Sequence, residues 1–287
     1  MLKVGLIGKI DAIETVAAII GLLPGAHVIG KASTGYLSRN ETSGFSIPEL
    51  NRADLIEKSD VLIFTQGARV EHDHLYEIIK KSKSIFSSDF PDFSTAELSE
   101  VEKLLNESKS IFQFHNPFYY HPVIRWIRSN FRLPGYFDLN LSQNTALDKK
   151  LIMKLLLLPI GYLGVNPSKF RYMSLDSSAD VPGFTNIRFE YSDSSVFNFN
   201  ISWGNSVNEV SLNAFSGKHH LTCNLIANTI EHDRQTVHPE NSGPSEELND
   251  FFGCISGRSA VKTGILQYGS ILQTVTEISR KSNWPEL

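Results

Sequence analysis

The chain has 287 residues, of which 41% are hydrophobic and 20% are charged, and its formal net charge is −4. With a pI near 6.1 and a mean hydropathy of −0.14, it has the composition of a soluble globular protein of one large or two ordinary domains. The charge excludes the basic surface of a nucleic-acid-binding protein. The longest apolar run, residues 151–165, is interrupted by Lys154 and Pro159 and is too short to span a membrane.

Residues 1–120 alternate short apolar runs with helical patterns. The apolar residues from Ile13 to Ile20 recur at helical spacing, and Ser94 with Glu97 predicts a capping box. Such alternation favours parallel pairing, with ligands beyond the carboxyl ends of the strands. Strands are predicted at residues 3–7, 27–32, 60–64, 84–87 and 111–114, and further helices at residues 71–81 and 95–108.

From about residue 170, strands follow one another too closely to leave room for helices. They are predicted at residues 169–174, 185–191, 196–203 and 209–213, with Asp193-Ser194-Ser195 as a turn between antiparallel neighbours. Two helices close the chain: one whose apolar face holds Leu248, Phe251, Phe252 and Ile255, and one at residues 264–280.

The predicted fold class is therefore α/β. An N-terminal Rossmann-type doubly wound parallel sheet is followed by an α+β domain with an open, mainly antiparallel sheet. We place the first domain at residues 1–120 and the second at residues 121–287, with C-terminal helices that pack back toward the first domain.

The first strand runs into Gly8, where a dinucleotide-binding G-x-G-x-x-G pattern would begin, but the next two glycine positions are Ile10 and Ile13. Ile10 would crowd a pyrophosphate, although the N-terminus of a helix still offers free N–H groups to an anion. Gly8 is thus either a turn glycine of any doubly wound fold or, with Lys9, part of a phosphate site.

This succession of elements resembles the Gfo/Idh/MocA family of oxidoreductases over nearly the whole chain. The resemblance implies hydride transfer between NAD or NADP and a sugar- or polyol-like substrate. It also implies that residues 1–120 form the dinucleotide-binding domain and residues 121–287 the substrate and dimerisation domain. The landmarks that carry it are residues 4–8 (first strand and glycine turn), residues 60–65 (third strand), His72 (start of the next helix), Asp89-Phe90-Pro91 (the family's Glu-Lys-Pro), His121-Pro122 (entry to the second domain) and residues 251–258 near the C-terminus.

The departures from the family concentrate at the working positions. Phe90 replaces the family's lysine, and the family's Asp-x-x-x-His pair falls on Lys150 and Lys154. Ser33-Thr34 replaces the acid after the second strand that would hold a ribose hydroxyl, and this hydroxyl pair is compatible with a 2′-phosphate. The residues predicted to contact the cofactor are Gly8, Lys9, Ile10, Ser33, Thr34, Thr65, Asp89 and Pro91.

Several of these residues have two interpretations. Phe90 belongs to a structural turn, plugs the nicotinamide pocket or stacks on a ligand. Lys150 and Lys154 either form a solvated helix face or bind an anionic substrate as a pair. His219-His220 and His232 are predicted to be surface residues, since no carboxylate or cysteine spacing supports a metal site.

The richest polar and aromatic cluster follows the fifth strand, at residues 115–121. It either binds a sugar-like or carbonyl substrate or packs between domains with its polar tips in water. In an active enzyme, the acid/base function must come from Tyr119, Tyr120 or His121, with Lys154 as a further candidate. His115, Asn116 and Lys150 are the predicted substrate-binding residues.

Two functions stay open. The first is an oxidoreductase of this type with weak or altered activity. The second is a non-catalytic Rossmann-fold binding or scaffold protein, which the residues found at the working positions favour. We expect a cytoplasmic protein, because Cys223 and Cys254 lack metal spacing, which predicts buried thiols in a reducing compartment, and the N-terminus lacks a signal-peptide pattern. The first function implies a small-molecule substrate.

A homodimer is predicted through the sheet of the second domain. Its outward residues are either Phe197, Phe199 and Trp203 or the alternates Val196, Asn198 and Ile201. An exposed apolar sheet face generally implies a partner, and members of the family commonly pair through this sheet.

Overall fold

The structure is a computed structural model that describes residues 1–34, 47–68, 70–144, 148–163, 166–175, 183–204, 208–232, 235–240 and 243–282. The chain divides into two compact units. The first comprises Met1–Asn116 and Pro244–Gly269, and the second comprises Pro117–Gly243 and Ser270–Leu287. The first unit is therefore built from two separate stretches of the chain.

The first unit contains a five-stranded parallel sheet with helices between its strands. Its elements are β1 (Leu2–Gly8), α1 (Ile10–Gly21), β2 (Ala26–Ser33), α2 (Arg52–Lys58), β3 (Val61–Phe64), α3 (His72–Lys80), β4 (Ser84–Ser87), α4 (Thr95–Ser108) and β5 (Phe112–Phe114). The strand order is β2-β1-β3-β4-β5. Short apolar runs form these strands because both faces of the sheet are covered, and β3 is buried along its whole length. The predicted Rossmann-type sheet is confirmed.

Local sequence sets where the helices of this unit begin. The Ser94 Oγ accepts the N–H of Glu97 at 3.3 Å, while the Glu97 carboxylate accepts the N–H of Ser94 at 2.7 Å, which confirms the predicted capping box of α4. In contrast, α1 begins after Lys9, whose side chain makes no capping hydrogen bond. The first N–H groups of α1 therefore have no side-chain acceptor at the N-cap.

Later residues complete the first unit. Helix α7 (Gly243–Ile255) packs Leu248, Phe251 and Phe252 into the core around β1 and β3, as the predicted apolar face requires. Before α8 (Ile265–Ser282), the carbonyl of Thr263 accepts the N–H of Phe114 at 2.7 Å, and Gly264 forms an antiparallel bridge with Gln113. Residues 263–264 thus cover the outer edge of β5.

The second unit contains an eight-stranded sheet in the order β13-β12-β11-β10-β6-β9-β8-β7. Its elements are α5 (Pro122–Asn130), β6 (Tyr136–Gln143), α6 (Lys149–Leu163), β7 (Lys169–Leu175), β8 (Gly183–Glu190), β9 (Val196–Trp203), β10 (Glu209–Ser216), β11 (His219–Asn224), β12 (Thr229–His232) and β13 (Gln235–Val237). Within the described ranges, each neighbouring pair is antiparallel except β6 and β9. The open, mainly antiparallel sheet is confirmed.

One face of this sheet forms the core of the second unit. Phe197, Phe199 and Ile201 of β9 are buried on it, and the rings of Phe137 and Phe197 stack with centroids 4.4 Å apart. Tyr162 of α6 packs against both of these rings. The first predicted outward set is therefore wrong, because residues two apart in a strand share a face and Phe197, Phe199 and Trp203 lie on the face of Ile201. The alternate set is wrong for Ile201.

The opposite face of the sheet is polar at its centre. The Asp138 carboxylate accepts hydrogen bonds from the amides of Asn198 at 2.6 Å and Asn200 at 2.9 Å. The side-chain amide of Asn186 donates to the Oδ1 atoms of both asparagines at 2.8 Å. The expectation of an apolar outward face is thus corrected: an asparagine and aspartate network occupies its middle.

No helix in the described part of the chain combines the length and the apolar character needed to cross a membrane.

Candidate cofactor and active site

The carboxyl edge of the parallel sheet brings together the residues predicted to contact a cofactor. Gly8 ends β1 and Ser33 ends β2, while Thr65 follows β3. The carbonyl of Gly8 accepts the N–H of Thr34 at 2.8 Å, and the carbonyl of Ile7 accepts that of Thr65 at 2.8 Å. These bonds hold the ends of three strands side by side, where doubly wound sheets bind their ligands.

Gly8 adopts a backbone conformation that requires glycine. Its φ is +147°, and a Cβ there would overlap with the Oγ1 of Thr65. Thr65 is buried, and its hydroxyl donates to the carbonyl of Ile7 at 3.2 Å. The glycine therefore serves the tight turn between β1 and α1, and this turn directs the N-terminus of α1 toward the carboxyl edge.

The residues after Gly8 differ in whether they favour the binding of an anionic cofactor. Lys9 brings a positive charge to the uncapped N-terminus of α1, which suits a diphosphate. Asp11, in the first turn of α1, adds an opposing negative charge. Ile10 is the first residue of the helix, and Ile13 is fully buried in the core. The free N–H groups of α1 and the Lys9 ammonium fit the diphosphate of a dinucleotide, although Ile10 and Ile13 stand at the second and third glycine positions of the fingerprint.

An acidic residue that the sequence analysis missed lies at the end of β2. The Glu49 carboxylate accepts the N–H of Ser33 at 2.7 Å. Its neighbours Pro48 and Leu50 are hydrogen-bonded to Lys31 of β2, which fixes this segment beside the strand. A carboxylate here can accept a ribose 2′-hydroxyl and repels a 2′-phosphate. The sequence pattern did not reveal this contact, because Glu49 lies 16 residues after Ser33 in the chain.

Phe90 lies in an aromatic cluster, although the resemblance aligns it with a catalytic lysine. It is 8% exposed, and its ring centroid is 5.3 Å from those of Phe114 and Tyr268. The Tyr268 hydroxyl donates to the carbonyl of Pro91 at 2.6 Å, and burial raises the pKa of Tyr268 to about 12, so the hydroxyl keeps its proton. Phe90 thus contributes packing and offers no proton.

Asp89 is bound on the other side of this segment. Its carboxylate accepts the N–H of Gly67 at 2.9 Å, and its carbonyl accepts the hydroxyl proton of Ser87 at 2.6 Å. The stem of Lys9 lies against the same Gly67, where a Cβ would come within 2.9 Å of the lysine Cε. The loops after β1, β3 and β4 are therefore in contact at this edge.

His115 and Asn116 follow β5 directly, and both are hydrogen-bonded to Glu247 of α7. The Nδ1 of His115 is 2.5 Å from one Glu247 carboxylate oxygen, and the N–H of Asn116 donates to the other at 2.8 Å. The Asn116 side chain donates to the Thr263 hydroxyl at 3.1 Å. Glu247 is 3% exposed, whereas the His115 side chain is 37% exposed. Sequence reasoning missed Glu247, because no motif marks it and it is distant in the chain.

Tyr119, Tyr120 and His121 lie in the second unit. The guanidinium of Arg128 lies 4.0 Å from the ring centroid of Tyr119, and Tyr120 is buried against Tyr119. The Nε2 of His121 is 3.0 Å from the carbonyl of Leu225 and must carry a proton, since a carbonyl only accepts. Burial lowers the pKa of His121, while this hydrogen bond opposes the shift.

We expect His121 to make stability depend on pH. The folded protein resists protonating His121, whereas the unfolded chain takes up this proton near pH 6.5. The contribution of His121 to the free energy of unfolding is therefore fully present above about pH 6.5. It decreases as the pH falls toward the pKa of His121 in the folded protein and is constant below that pKa. Urea unfolding of the wild type and His121→Gln at about pH 7.5 and about pH 5.5 tests this expectation. The wild type should lose more stability on acidification, and equal losses would contradict it.

The predicted lysine pair lies on α6 in the second unit. Lys150 is exposed and Lys154 is partly buried. The helix buries Ile152, Met153 and the following leucines, so the two lysines occupy its more polar side. The pair is therefore either a solvated helix face or a site for an anionic substrate.

Solved structures of dehydrogenases and reductases share the fold of this chain. UDP-N-acetylglucosamine 3-dehydrogenase from Acidithiobacillus ferrooxidans is similar with a TM-score of 0.81, at 14% identity, over 96% of each chain. A putative myo-inositol dehydrogenase from Sinorhizobium meliloti has a TM-score of 0.75 at 10% identity, over 96% of this chain and 95% of that one. Biliverdin reductase from Synechocystis, solved with biliverdin and NADP+, has a TM-score of 0.75 at 9% identity, over 98% of each chain.

These likenesses confirm the fold class, a Rossmann-type unit joined to an α/β unit with a mainly antiparallel sheet. The resemblance to Gfo/Idh/MocA-type oxidoreductases is confirmed at the level of the fold. No protein-family profile and no curated protein sequence matches the chain. At identities of 9% to 14%, the likeness is one of fold.

Proposed function

We propose that the protein is a nicotinamide-dependent oxidoreductase of the Gfo/Idh/MocA type with weak or altered activity. Its substrate would be a secondary alcohol of a sugar- or polyol-like molecule, or the matching ketone. The observation that carries this proposal is the carboxyl edge of the parallel sheet, where the uncapped N-terminus of α1 and Lys9 adjoin the loops after β3 and β4. One structure that shares the fold was solved with NADP+.

The chain's own residues indicate how a dinucleotide would be held. When bound, it would accept hydride from the alcohol or return hydride to the ketone. The N–H groups of α1 and the Lys9 ammonium would bind its diphosphate. Glu49, beside Ser33, would accept a ribose hydroxyl and repel a 2′-phosphate, so we propose NAD(H) in preference to NADP(H).

Proton transfer and substrate binding fall to the remaining predicted residues. In the second unit, the candidates for the proton are Tyr119, Tyr120, His121 and Lys154. His121 is disfavoured because its Nε2–H is bonded to a carbonyl and its other nitrogen, Nδ1, is buried. Among the predicted substrate-binding residues, Asn116 is 2% exposed and bound to Thr263. His115 and Lys150 are therefore the stronger proposals for substrate contact.

Calorimetric titration with NAD, NADH, NADP and NADPH tests this function. We expect micromolar binding of NAD(H) and weaker binding of NADP(H). The matched variant Glu49→Gln should narrow that preference, because it removes the charge and keeps the shape. Absence of binding for all four at millimolar ligand overturns the proposal.

The second candidate is a non-catalytic binding or scaffold protein. The packing of Phe90 between Phe114 and Tyr268 favours it, since the position aligned with the catalytic lysine is used for a hydrophobic cluster. A screen of sugars and polyols with each nicotinamide cofactor separates the two. Dinucleotide binding without turnover of any substrate would favour this candidate.

We propose further that two copies pair through the eight-stranded sheet. Exposed Met173 and Leu175 of the edge strand β7 and exposed Phe215 of β10 lie on the face of the asparagine network, since they pair with Asn186, Phe184 and Tyr136 across the strands. Apolar residues on either side of a hydrogen-bonded network suit a second copy of the same face. Light scattering should give a dimer that Met173→Glu dissociates, while Leu22→Glu, on an exposed residue after α1, leaves it intact. A wild-type monomer at micromolar concentration contradicts the proposal.

The proposed compartment is the cytoplasm. Cys223 and Cys254 are both free and buried, and burial raises the pKa of the Cys223 thiol to about 12. Such thiols behave as small apolar side chains, which agrees with a reducing compartment.

A further inference from the structure

We infer that His115 is the general acid and base of the proposed reaction and that Glu247 is the residue that positions it. This inference rests on the proposed oxidoreductase function. It assigns the proton transfer to the first unit, at the strand next to the loop that contains Phe90.

The burial of Glu247 is the first argument. A carboxylate that is 3% exposed is retained in a protein only where hydrogen bonds satisfy its charge. Both of its oxygens are used, one by the N–H of Asn116 and one by the imidazole of His115. Glu247 is also the one titratable group in the described ranges that forms a hydrogen bond or ion pair with His115.

The tautomer of His115 follows from this contact. An ionised carboxylate only accepts, so the Nδ1 of His115 must carry the proton that the two groups share. In the neutral ring, Nε2 then has the free lone pair, and the side chain is 37% exposed, which leaves this nitrogen accessible. The arrangement is that of a base whose reactive nitrogen is fixed by a carboxylate behind it.

The backbone on either side holds the imidazole in place. The N–H of His115 donates to the carbonyl of Ser87 at 2.8 Å, which ties it to the end of β4. Phe114 and Asn116, its two neighbours, are both bonded to Thr263. His115 therefore stands on a fixed backbone at the carboxyl ends of β4 and β5, the edge at which this fold binds ligands.

His115 would take the hydroxyl proton of the substrate alcohol. In alcohol oxidation, a bound nicotinamide dinucleotide would accept the hydride of the carbinol carbon, and the Nε2 of His115 would take the hydroxyl proton as the carbonyl forms. The resulting imidazolium is stabilised by the Glu247 carboxylate, and its proton then passes to water. Ketone reduction reverses each transfer.

Glu247→Gln distinguishes this arrangement from a purely structural tie between α7 and β5. The glutamine oxygen can still accept the N–H of Asn116, but its amide now donates toward His115. The Nδ1 must then become the acceptor and the proton moves to Nε2. The variant keeps the shape of the site and removes the lone pair that takes the substrate proton.

The experiment records long-range proton–nitrogen correlations of histidine labelled with 15N, with His115 assigned by its absence in His115→Gln. We expect the Nδ1–H form in the wild type and in Glu246→Gln, a matched loss of charge on the same helix, and the Nε2–H form in Glu247→Gln. With the substrate found by the screen, Glu247→Gln and His115→Gln should lower kcat on the order of 10²–10⁴-fold with little change in KM.

The results test the assignment of His115 and the proposed function separately. An Nε2–H tautomer in the wild type, or an unchanged kcat in both variants, overturns the inference while the proposed function stands. Absence of dinucleotide binding in the wild type overturns the proposed function, and the catalytic assignment with it. The tautomer is read without cofactor or substrate, so the two failures are distinguishable.

Discussion

Replacing Phe90 with lysine will destabilise the protein instead of restoring a catalytic group. The side chain is 8% exposed and lies against the rings of Phe114 and Tyr268, so a lysine would lose that packing and bury an ammonium group without a carboxylate partner in the cluster. We expect a loss of about 3–5 kcal/mol in the free energy of unfolding. Urea denaturation followed by circular dichroism measures it.

A matched variant separates packing from charge at this position. Phe90→Leu keeps an apolar side chain in the cluster and should cost about 1–2 kcal/mol. The difference between the two variants in the free energy of unfolding then measures the cost of burying the charge. Phe90→Lys with wild-type stability and a gain of hydride-transfer activity would show that the segment opens to solvent, contrary to the packing described above.

Gly8→Ala is expected to have a comparable effect for a different reason. The φ of +147° is strained for any residue with a Cβ, and this Cβ would overlap with the buried Thr65 hydroxyl. Thr65 is β-branched and has few χ1 rotamers, so moving its hydroxyl out of the way costs free energy. Together, strain and overlap should lower the free energy of unfolding by about 3 kcal/mol.

Gly21 provides the control for that substitution. It ends α1, and nothing lies within 4 Å of the place where its Cβ would be. Gly21→Ala should be neutral or stabilise by about 0.5–1 kcal/mol, because alanine favours a helix. Equal melting temperatures for the two variants would mean that the turn after β1 adapts more easily than its geometry indicates.

Much of the fold could be predicted because its signals are local. The strands Ser84–Ser87 and Val196–Trp203 and the helix Thr95–Ser108 have the predicted bounds, since apolar runs or a capping box mark their ends. Strand β6 was missed, although Phe137 and Leu139 alternate with Asp138 and Asn140 in the period of a half-buried strand. The polar side chains of β6 are hydrogen-bonded to two asparagines of β9, about 60 residues later in the chain, which short-range patterns do not reveal.

The candidate site could be predicted only in part. Gly8 and His115 follow strands in the sequence, so their place at the carboxyl edge could be deduced. Glu49 and Glu247 could not, because their partners Ser33 and Asn116 lie 16 and 131 positions away. The surroundings of Phe90 were equally hidden, since Tyr268 comes from the last helix. Residues brought in by tertiary packing thus supply the carboxylates that the local motif lacks.

The discontinuity of the first unit constrains the order in which the chain acquires its structure during synthesis. The ribosome must complete residues 117–243 before α7 emerges to join the core and residues 263–264 emerge to cover the edge of β5. Until then, Phe114 has an open backbone edge and Asn116 has an N–H without its carboxylate acceptor. The nascent first unit therefore passes through a stage with a strand edge open to other chains, when chaperone binding would protect it most.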